Sequence, residues 1–588
     1  MPKKLATASI YTLLLLSTFL AALVLAIMYY GGKIDAVTLI IAVVAINFLA
    51  WLIGPYITTL VLKWLYKIQF YNQQEFSTQH AELSAFILKV CTEHKIPFPK
   101  MGVINDDNPT AFAYGSGAFN ARVVITQGLF TYLQPDEIEA VVAHELGHIV
   151  HKDFIVMSVA NTIIQIMYEI YVIFAKKNKK GKKNAFFFIG LAAYIFYIIG
   201  YYIVLYLNRM REMYADEFSA EITGQPHALS NALVKIGYGI VSKEDDDKSK
   251  RLLESTGTMG IMGATTAKEI GLVAKATEMD SKKIGKVLLF DFVSPWAKLA
   301  ELGATHPLTG KRLVRMDELA VQKGQPMLFN MPQIIAENPV DKQKLWEGFT
   351  VGALVYLLPF IVAAIGLLSA AAIPLFHISL QPHVWLSFWV VVFGLSLLMK
   401  TAYKYPEDKN IAPATVLELM SDVYASPVKG RAVVMDGKVV GKGVAGYAFS
   451  EDVMLQDQTG LMYMDYQAGI PLIGNLIFAL AKVKKLIGQP VQARGWFFRS
   501  NYQFLVLSSM QNSASVYKSY AKFWNVVVGL FAMFFGVIWL MTGEIALAWS
   551  ISFVFLILLL LLNWILGSRT KINPLPPPSI PMPPSQKV

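Results

Sequence analysis

The residues able to do chemistry concentrate in one short stretch, VVAHELGHIVHKD, running from Val141 to Asp153. Pro135, Asp136 and Glu137 precede it as a helix start, with a proline early and acids in the first turn. On that helix His144 and His148 stand four residues apart, so both imidazoles leave one face and can meet a single metal ion. Glu145, one position along, can take a proton from water without occupying a coordination position. This is the hydrolytic H-E-x-x-H arrangement, in which zinc lowers the pKa of a water toward ~7 and a carboxylate receives the proton. A pattern of this length also arises by chance in helices carrying two surface histidines, so the rest of the chain has to decide. His151 lies near the same face but two turns from His144, too far for all three histidines to hold one ion, and it reads as a surface or interface histidine.

A hydrolytic site needs a third protein ligand and one open position. An apolar run follows Asp153 at once, so no third histidine arrives close by. Much later the chain reads RMREMYADEFSAE, from Arg209 to Glu221, where Glu212 and Asp216 are again four apart on one helical face. Glu212 can ligate zinc, and Asp216 can accept an N–H bond from a ligating imidazole and fix its tautomer. Alone, this is an ordinary charged helix start. Depth makes the pairing specific: His148 lies six residues before the run that opens at Phe154, and Glu212 four after the run that closes at Asn208. At helical rise both sit about 6–9 Å from the ends of their runs. One ion per chain would then bridge two helices emerging side by side from one membrane hairpin.

The composition supplies that membrane. The chain has 588 residues, 55% hydrophobic and 16% charged, at a mean hydropathy of +0.46, whereas soluble domains carry roughly 25% charged residues. Cys91 is the only cysteine, which excludes intrachain disulfides and all-thiolate metal sites, so any metal must rest mainly on nitrogen and oxygen. Runs long enough to cross ~30 Å of hydrocarbon occur at Leu5–Tyr30, Ala36–Leu62, Ala185–Asn208, Phe349–Phe376, Leu380–Met399, Phe523–Thr542 and Ile545–Gly567. An eighth, Phe154–Ala175, carries Glu169, which must pack against another helix or lie close to an interface.

The runs form four hairpins, joined among others by Gly31–Asp35, His377–Ser379 and Gly543–Glu544, which leaves every large polar segment on one side. Lys3, Lys4, Lys63, Lys67, Arg209, Arg211, Lys342, Lys400, Lys404, Lys522 and Arg569 flank spans there, so the positive-inside rule makes that side cytoplasmic. The net charge of +11 is accounted for in this way rather than by nucleic acid. One loop objects: the six lysines between Lys176 and Asn184 fall outside in this topology.

At this point several ordered motifs resemble those of the HtpX-like zinc metallopeptidases, relatives of the CAAX prenyl endopeptidases. The resemblance covers Ile34 to Gln322: paired N-terminal spans, NPTAFAYG (Asn108–Gly115), HELGH, two further apolar runs, E-x-x-A-D (Glu212–Asp216) and THPLTGKR (Thr305–Arg312). It implies a gluzincin-type α+β metallopeptidase fold with His144, His148 and Glu212 as zinc ligands and Glu145 as general base. It also implies that His306 stabilises the tetrahedral oxyanion and that Arg312 supports the site. NPTAFAYG and ARVVIT (Ala121–Thr126) read as short strands. The family implies an exposed edge that holds substrate backbone by strand addition, involving Asn108, Ala111, Phe112 and Ala113; plain core strands fit the pattern equally well.

The sequence departs from that family beyond Glu347. Between Leu417 and Met510 the pattern turns to strands: GRAVVMDGKVVGKG with a hairpin turn at Asp436–Gly437, DVMLQD and LMYMDY about Gln458–Thr459–Gly460, then PVQARGWFF and QFLVLSS. A helix-like stretch, Leu472–Ile487, interrupts them, as in a small OB-like barrel. Phe497, Phe498, Arg494 and Arg499 could serve single-stranded nucleic acid, but strand aromatics are usually core; nucleic acid is disfavoured as a partner, and a substrate-recruiting or gating module is expected.

The expected fold class is therefore a mixed membrane protein with about eight transmembrane spans in α-helical hairpins. The expected divisions are an N-terminal hairpin at 1–68, the metallopeptidase domain at 69–347 with its own hairpin at 154–208, and a hairpin at 348–400. An all-β OB-like domain at 401–521, a C-terminal hairpin at 522–568 and a proline-rich tail at 569–588 complete it. The expected function is that of a zinc endopeptidase acting on polypeptide substrates, membrane or misfolded proteins, at the cytoplasmic surface of the lipid bilayer. A CAAX-type prenyl-protein endopeptidase and a non-catalytic membrane scaffold or chaperone are the alternatives; a transporter is disfavoured, because Glu169 alone is charged within the runs.

Overall fold

The computed structural model describes residues 2–30, 36–178, 184–242, 261, 271, 280–372, 381–407, 411–442, 452–471, 473–500 and 503–569. The expected connections Gly31–Asp35 and His377–Ser379, the centre of the six-lysine loop and the proline-rich tail from Pro574 lie outside these residues. The chain divides into two compact units, one comprising Met1–Ala274, Met279–Phe292 and Ala297–Ile334, the other Lys275–Glu278, Val293–Trp296 and Ile335–Val588.

The first unit opens with two long apolar helices, α1 (Lys3–Tyr30) and α2 (Ala36–Tyr66). A small domain follows: β1 (Gln69–Tyr71), α3 (Gln73–Gln79), α4 (Ala81–His94), β2 (Lys100–Ile104), β3 (Ala111–Tyr114), β4 (Arg122–Thr126), α5 (Gln127–Tyr132) and α6 (Pro135–Val150). The chain then returns to apolar sequence in α7 (Asp153–Asn178) and α8 (Asn184–Thr223) before α9 (Pro226–Ser242). Leu16, Leu23 and Ile27 of α1, Val43 of α2, Ile163, Ile166, Met167 and Ile170 of α7 and Ile189, Ala193 and Val204 of α8 form one buried cluster, so these four helices pack as a bundle. Glu169 of α7 is half-buried.

Helix α8 is the main departure from the expected layout. Its 40 residues make one continuous helix, about 60 Å long at 1.5 Å per residue and roughly twice the thickness of a hydrocarbon core. RMREMYADEFSAE is therefore the polar continuation of an apolar helix, not a new helix start. No glycine or proline stands between Asn208 and Thr223, so nothing interrupts the hydrogen-bond ladder where polarity changes.

The four strands are ordered β1-β2-β4-β3, with β2 and β4 parallel and β3 antiparallel to β4 at one edge. Phe112 and Tyr114 stack at 6.2 Å and pack with Leu62, Ile68, Ile104 and Val124. By the two-residue period of a strand, Ala111 and Ala113 point to the opposite face.

In the second unit, helices Lys342–Ala372, Pro382–Lys404, Ala521–Thr542 and Ile545–Arg569 flank a small sheet domain. Its strands are β5 (Arg431–Lys442), β6 (Val453–Gln456), β7 (Leu461–Asp465), β8 (Pro490–Arg499) and β9 (Gln503–Gln511), with β10 (Val516–Lys518) added outside β9. Because β9 pairs with both β7 and β8, the five close into a barrel. The hairpin at Gln458–Gly460 forms as expected, with the Asp457 amide donating to the Gly460 carbonyl at 3.0 Å. The turn expected at Asp436–Gly437 does not form. Both residues continue a single twelve-residue strand whose first part pairs with β8 and whose end pairs with β6. The glycine is required by close approach rather than by a turn: a Cβ on Gly437 would lie 2.5 Å from the Gln456 carbonyl oxygen. Phe497, Phe498 and Arg499 are buried in the barrel, whereas Arg494 is exposed.

Seven helices among the described residues are long and apolar enough to cross a bilayer: those at Lys3–Ile27, Ile40–Tyr66, Asp153–Phe174, Phe187–Thr223, Lys342–Ala370, Pro382–Lys404 and Ala521–Thr542. The expected last span corresponds to a shorter apolar stretch, Ile545–Leu561.

Candidate active site

The two histidines arrive on α6, whose start is held by Pro135 and by the Gln134 amide donating to Glu137 at 2.8 Å. Glu137 is itself buried and accepts from Lys235 of α9 at 2.6 and 2.8 Å. Helix α6 lies directly against α8. A Cβ on Gly147 would meet the Ala215 Cα at 3.3 Å and Phe218 at 3.2 Å, so the glycine sets how near the helices come. Across the same contact the buried Ser219 hydroxyl donates to the Ala140 carbonyl at 2.6 Å. The consequence is that His144, His148 and Glu212 converge, with their ligand atoms within 4.8 Å of one another.

Each imidazole has one nitrogen engaged and one turned inward. His144 Nδ1 stands 2.9 Å from Asp216 Oδ1, and Arg312 holds Asp216 in a fork, donating from Nε at 2.8 Å and Nη2 at 2.7 Å. His148 Nδ1 is 2.6 Å from Asp153 Oδ2, and the buried Arg211 pairs with the other oxygen of that carboxylate. A carboxylate only accepts, so the tautomer with the proton on Nδ1 of each ring suits both carboxylates and turns both Nε2 lone pairs inward. Those two Nε2 atoms are 3.3 Å apart, and each is 3.6 Å from an oxygen of Glu212. Three acceptors facing one another repel unless a cation lies among them. Two nitrogens bound tetrahedrally at the ~2.0–2.1 Å of a zinc–imidazole bond stand about 3.3 Å apart, so the residues fit a small tetrahedral ion.

Glu145 is buried at the same place, with neither carboxylate oxygen hydrogen-bonded within the protein. Burial holds its carboxyl above the ordinary range, against the pull of the imidazoles of His144 and His148. The Ala113 amide of β3 also faces it. His306 is buried with Nε2 3.6 Å from Glu212 Oε2 and Nδ1 3.0 Å from the Thr305 hydroxyl. Its loop is clamped by α8: Asn208 donates to the Thr305 carbonyl at 2.8 Å, and Arg209 donates to the carbonyls of Ala304 at 2.8 Å and Leu302 at 3.2 Å.

A buried HExxH pair, a carboxylate four residues ahead of an orienting aspartate on a second helix, and a base without a partner form a metallohydrolase constellation, and the comparisons agree. The profile of Peptidase family M48 matches residues 77–320. A protease HtpX homolog of Methanothermobacter thermautotrophicus is 35% identical over 191 residues, covering 32% of this chain and 69% of that protein. The HtpX homolog of Pyrococcus abyssi is 30% identical over 320 residues, 53% of this chain and 95% of that one. The chain belongs to peptidase family M48. It is an HtpX-like membrane metallopeptidase. The crystal structure of S. mikatae Ste24p is also similar, at 16% identity and a TM-score of 0.31, over 54% of this chain and 67% of that one.

Of the residues singled out in the sequence, the structure gathers His144, Glu145, His148, Glu212, Asp216, His306 and Arg312. The strand-edge residues separate. Ala111 and Ala113 present backbone at the edge of the sheet, while Phe112 is fully buried in the core. Asn108 is buried in the preceding loop, its amide donating to Asp106 at 2.9 Å and its carbonyl accepting from Thr126 at 2.6 Å. His151 is not at the surface: it is buried edge-on against Phe218 with ring centroids 5.6 Å apart. Sequence reasoning missed Asp153, and it read Arg209 and Arg211 as membrane flanks. The available signal was the position of Asp153, five residues beyond His148. Lys152 at φ +62 ends α6 and turns the chain, so that the first residue of α7 faces back toward His148.

Proposed function

We propose that this M48 member is a zinc-dependent integral-membrane endopeptidase that cleaves membrane or misfolded proteins at the cytoplasmic surface, in protein quality control. The observation that carries the reading is the inward convergence of the two Nε2 atoms and Glu212 beside an unpartnered, buried Glu145. When bound, zinc held by His144, His148 and Glu212 supplies a Lewis acid that acidifies water and polarises the scissile carbonyl. Glu145 receives the proton of the attacking water and passes it to the leaving amine, a task suited to a carboxyl raised by burial. His306 donates to the oxygen of the tetrahedral intermediate. Asp216, held by Arg312, keeps the His144 ring in its ligating tautomer.

Substrate backbone would add to the edge of β3, where Ala111 and Ala113 offer alternate carbonyl and amide groups beside Glu145. Support comes from the chain itself: the Ile261 amide donates to the Ala111 carbonyl at 3.2 Å, and Arg312 Nη1 donates to the Ile261 carbonyl at 2.7 Å. Among the described residues, Ile261 thus already uses the edge that a peptide would take. The C-terminal barrel is read as an OB-type module, supported by five closed strands and a helix between the third and fourth.

The test is Glu145→Gln in the full chain in detergent or proteoliposomes, with metal analysis beside cleavage of an unfolded protein substrate. The variant retains zinc and loses about 10²–10⁴-fold in kcat. Undiminished proteolysis removes Glu145 from the base role, and wild-type protein purified active without zinc overturns the metal assignment.

A further inference from the structure

The helix between β7 and β8 runs through Ile473–Ile477, a π-wound turn at Phe478–Lys482, and Val483–Leu486. Phe478, Ala479, Val483 and Leu486 are buried, with Phe478 stacked on Tyr466 at 3.7 Å, so this side already covers the barrel. The opposite side is also apolar. Ile473, Leu476, Ile477 and Leu480 follow helical spacing and are 64%, 40%, 55% and 47% exposed, and Ile470 just before them is 65% exposed. A soluble helix puts polar residues there. The exposed lysines of this helix, Lys482, Lys484 and Lys485, lie together toward its C-terminal end.

What covers this stripe is indicated by the segment that leads into it. The Tyr520 amide donates to the Gln467 carbonyl at 2.8 Å, and the Gln467 amide donates to the Ser519 hydroxyl at 3.1 Å. Trp524 Nε1, in the first turn of the apolar helix Ala521–Thr542, donates to the Ala468 carbonyl at 3.2 Å. The stripe therefore begins two residues from a chain segment fastened to the end of a helix able to cross the bilayer. Tyr520 and Trp524 are the aromatic types that mark the headgroup level.

We propose that the helix 473–486 lies in the headgroup layer of the same membrane, with Ile473, Ile477 and Leu480 among the acyl chains and the lysines on anionic headgroups. An apolar face with adjoining lysines is the pattern of interfacial helices, and it would hold the barrel against the leaflet independently of whether the peptidase site is active.

The experiment places single cysteines at Ile477 and, separately, at Leu480 in a Cys91→Ala background, with Ser513→Cys on the exposed β9–β10 connection as reference. Each carries an environment-sensitive fluorophore in the full chain, reconstituted in phosphatidylcholine vesicles with and without phosphatidylglycerol. Expected are quenching by lipids spin-labelled near the headgroup and several-fold weaker quenching by aqueous iodide than at Ser513→Cys, both enhanced by phosphatidylglycerol. Iodide access equal to the reference overturns the proposal. So does protection from iodide without quenching from lipid, the result that a second copy or a bound polypeptide would give.

Discussion

Asp153→Asn tests whether the carboxylate behind His148 tunes the metal site or only braces the fold. Asp153 is buried, 2.6 Å from His148 Nδ1, and shares its charge with the buried Arg211. Asparagine keeps an oxygen to accept the imidazole N–H but removes the negative charge that raises the basicity of the ring. Loss of such an outer partner typically costs 10–100-fold in metal affinity, or about 1.4–2.7 kcal/mol. The same change leaves Arg211 buried without its counter-charge, which costs roughly 3–5 kcal/mol of folding stability. Two readouts separate these effects: competition with a chromogenic chelator for zinc affinity, and thermal unfolding in detergent for stability. Adding Arg211→Met to Asp153→Asn should restore much of the stability and none of the zinc affinity. If zinc affinity in Asp153→Asn stays within about twofold of wild type while stability falls, the carboxylate is structural and the reasoning about His148 is wrong.

Further outcomes follow from the same geometry. Glu212→Ala should abolish zinc binding, as read by metal analysis of the purified chain, and occupancy equal to wild type would remove Glu212 as third ligand. His306→Ala should retain zinc and lose about 10²–10³-fold in kcat with little change in KM; a change confined to KM would move His306 from the oxyanion to substrate binding. Burial pushes His151 down from 6.5 to about 3, so it stays neutral in the fold while the unfolded chain takes up a proton. Its contribution is full above pH 6.5 and is lost as pH falls toward 3, at up to about 1.4 kcal/mol per pH unit. His151→Gln should therefore flatten the acid limb of thermal stability relative to wild type, and an unchanged limb would refute the assignment.

The parts of this protein legible in its sequence are those set by local periodicity. Four-residue spacing alone puts His144 with His148 and Glu212 with Asp216, and runs of apolar residues alone mark the helices of both units, because helical geometry and transfer from water act over one or two turns. Even the pairing of two segments more than sixty positions apart could be argued, since equal distance from the ends of a hairpin brings them to one level. Other features depended on the tertiary structure. The left-handed backbone at Lys152 sends Asp153 back to His148, and the approach of α6 to α8 at Gly147 and Ala215 makes the inward nitrogens meet. Packing around the site turns Arg209 and Arg211 from membrane flanks into buried clamps. Closure of the barrel keeps Asp436 and Gly437 in one strand where the dipeptide alone favours a turn. Each of these outcomes was decided by what lies across space from the residue, and a linear pattern of residue types does not record that.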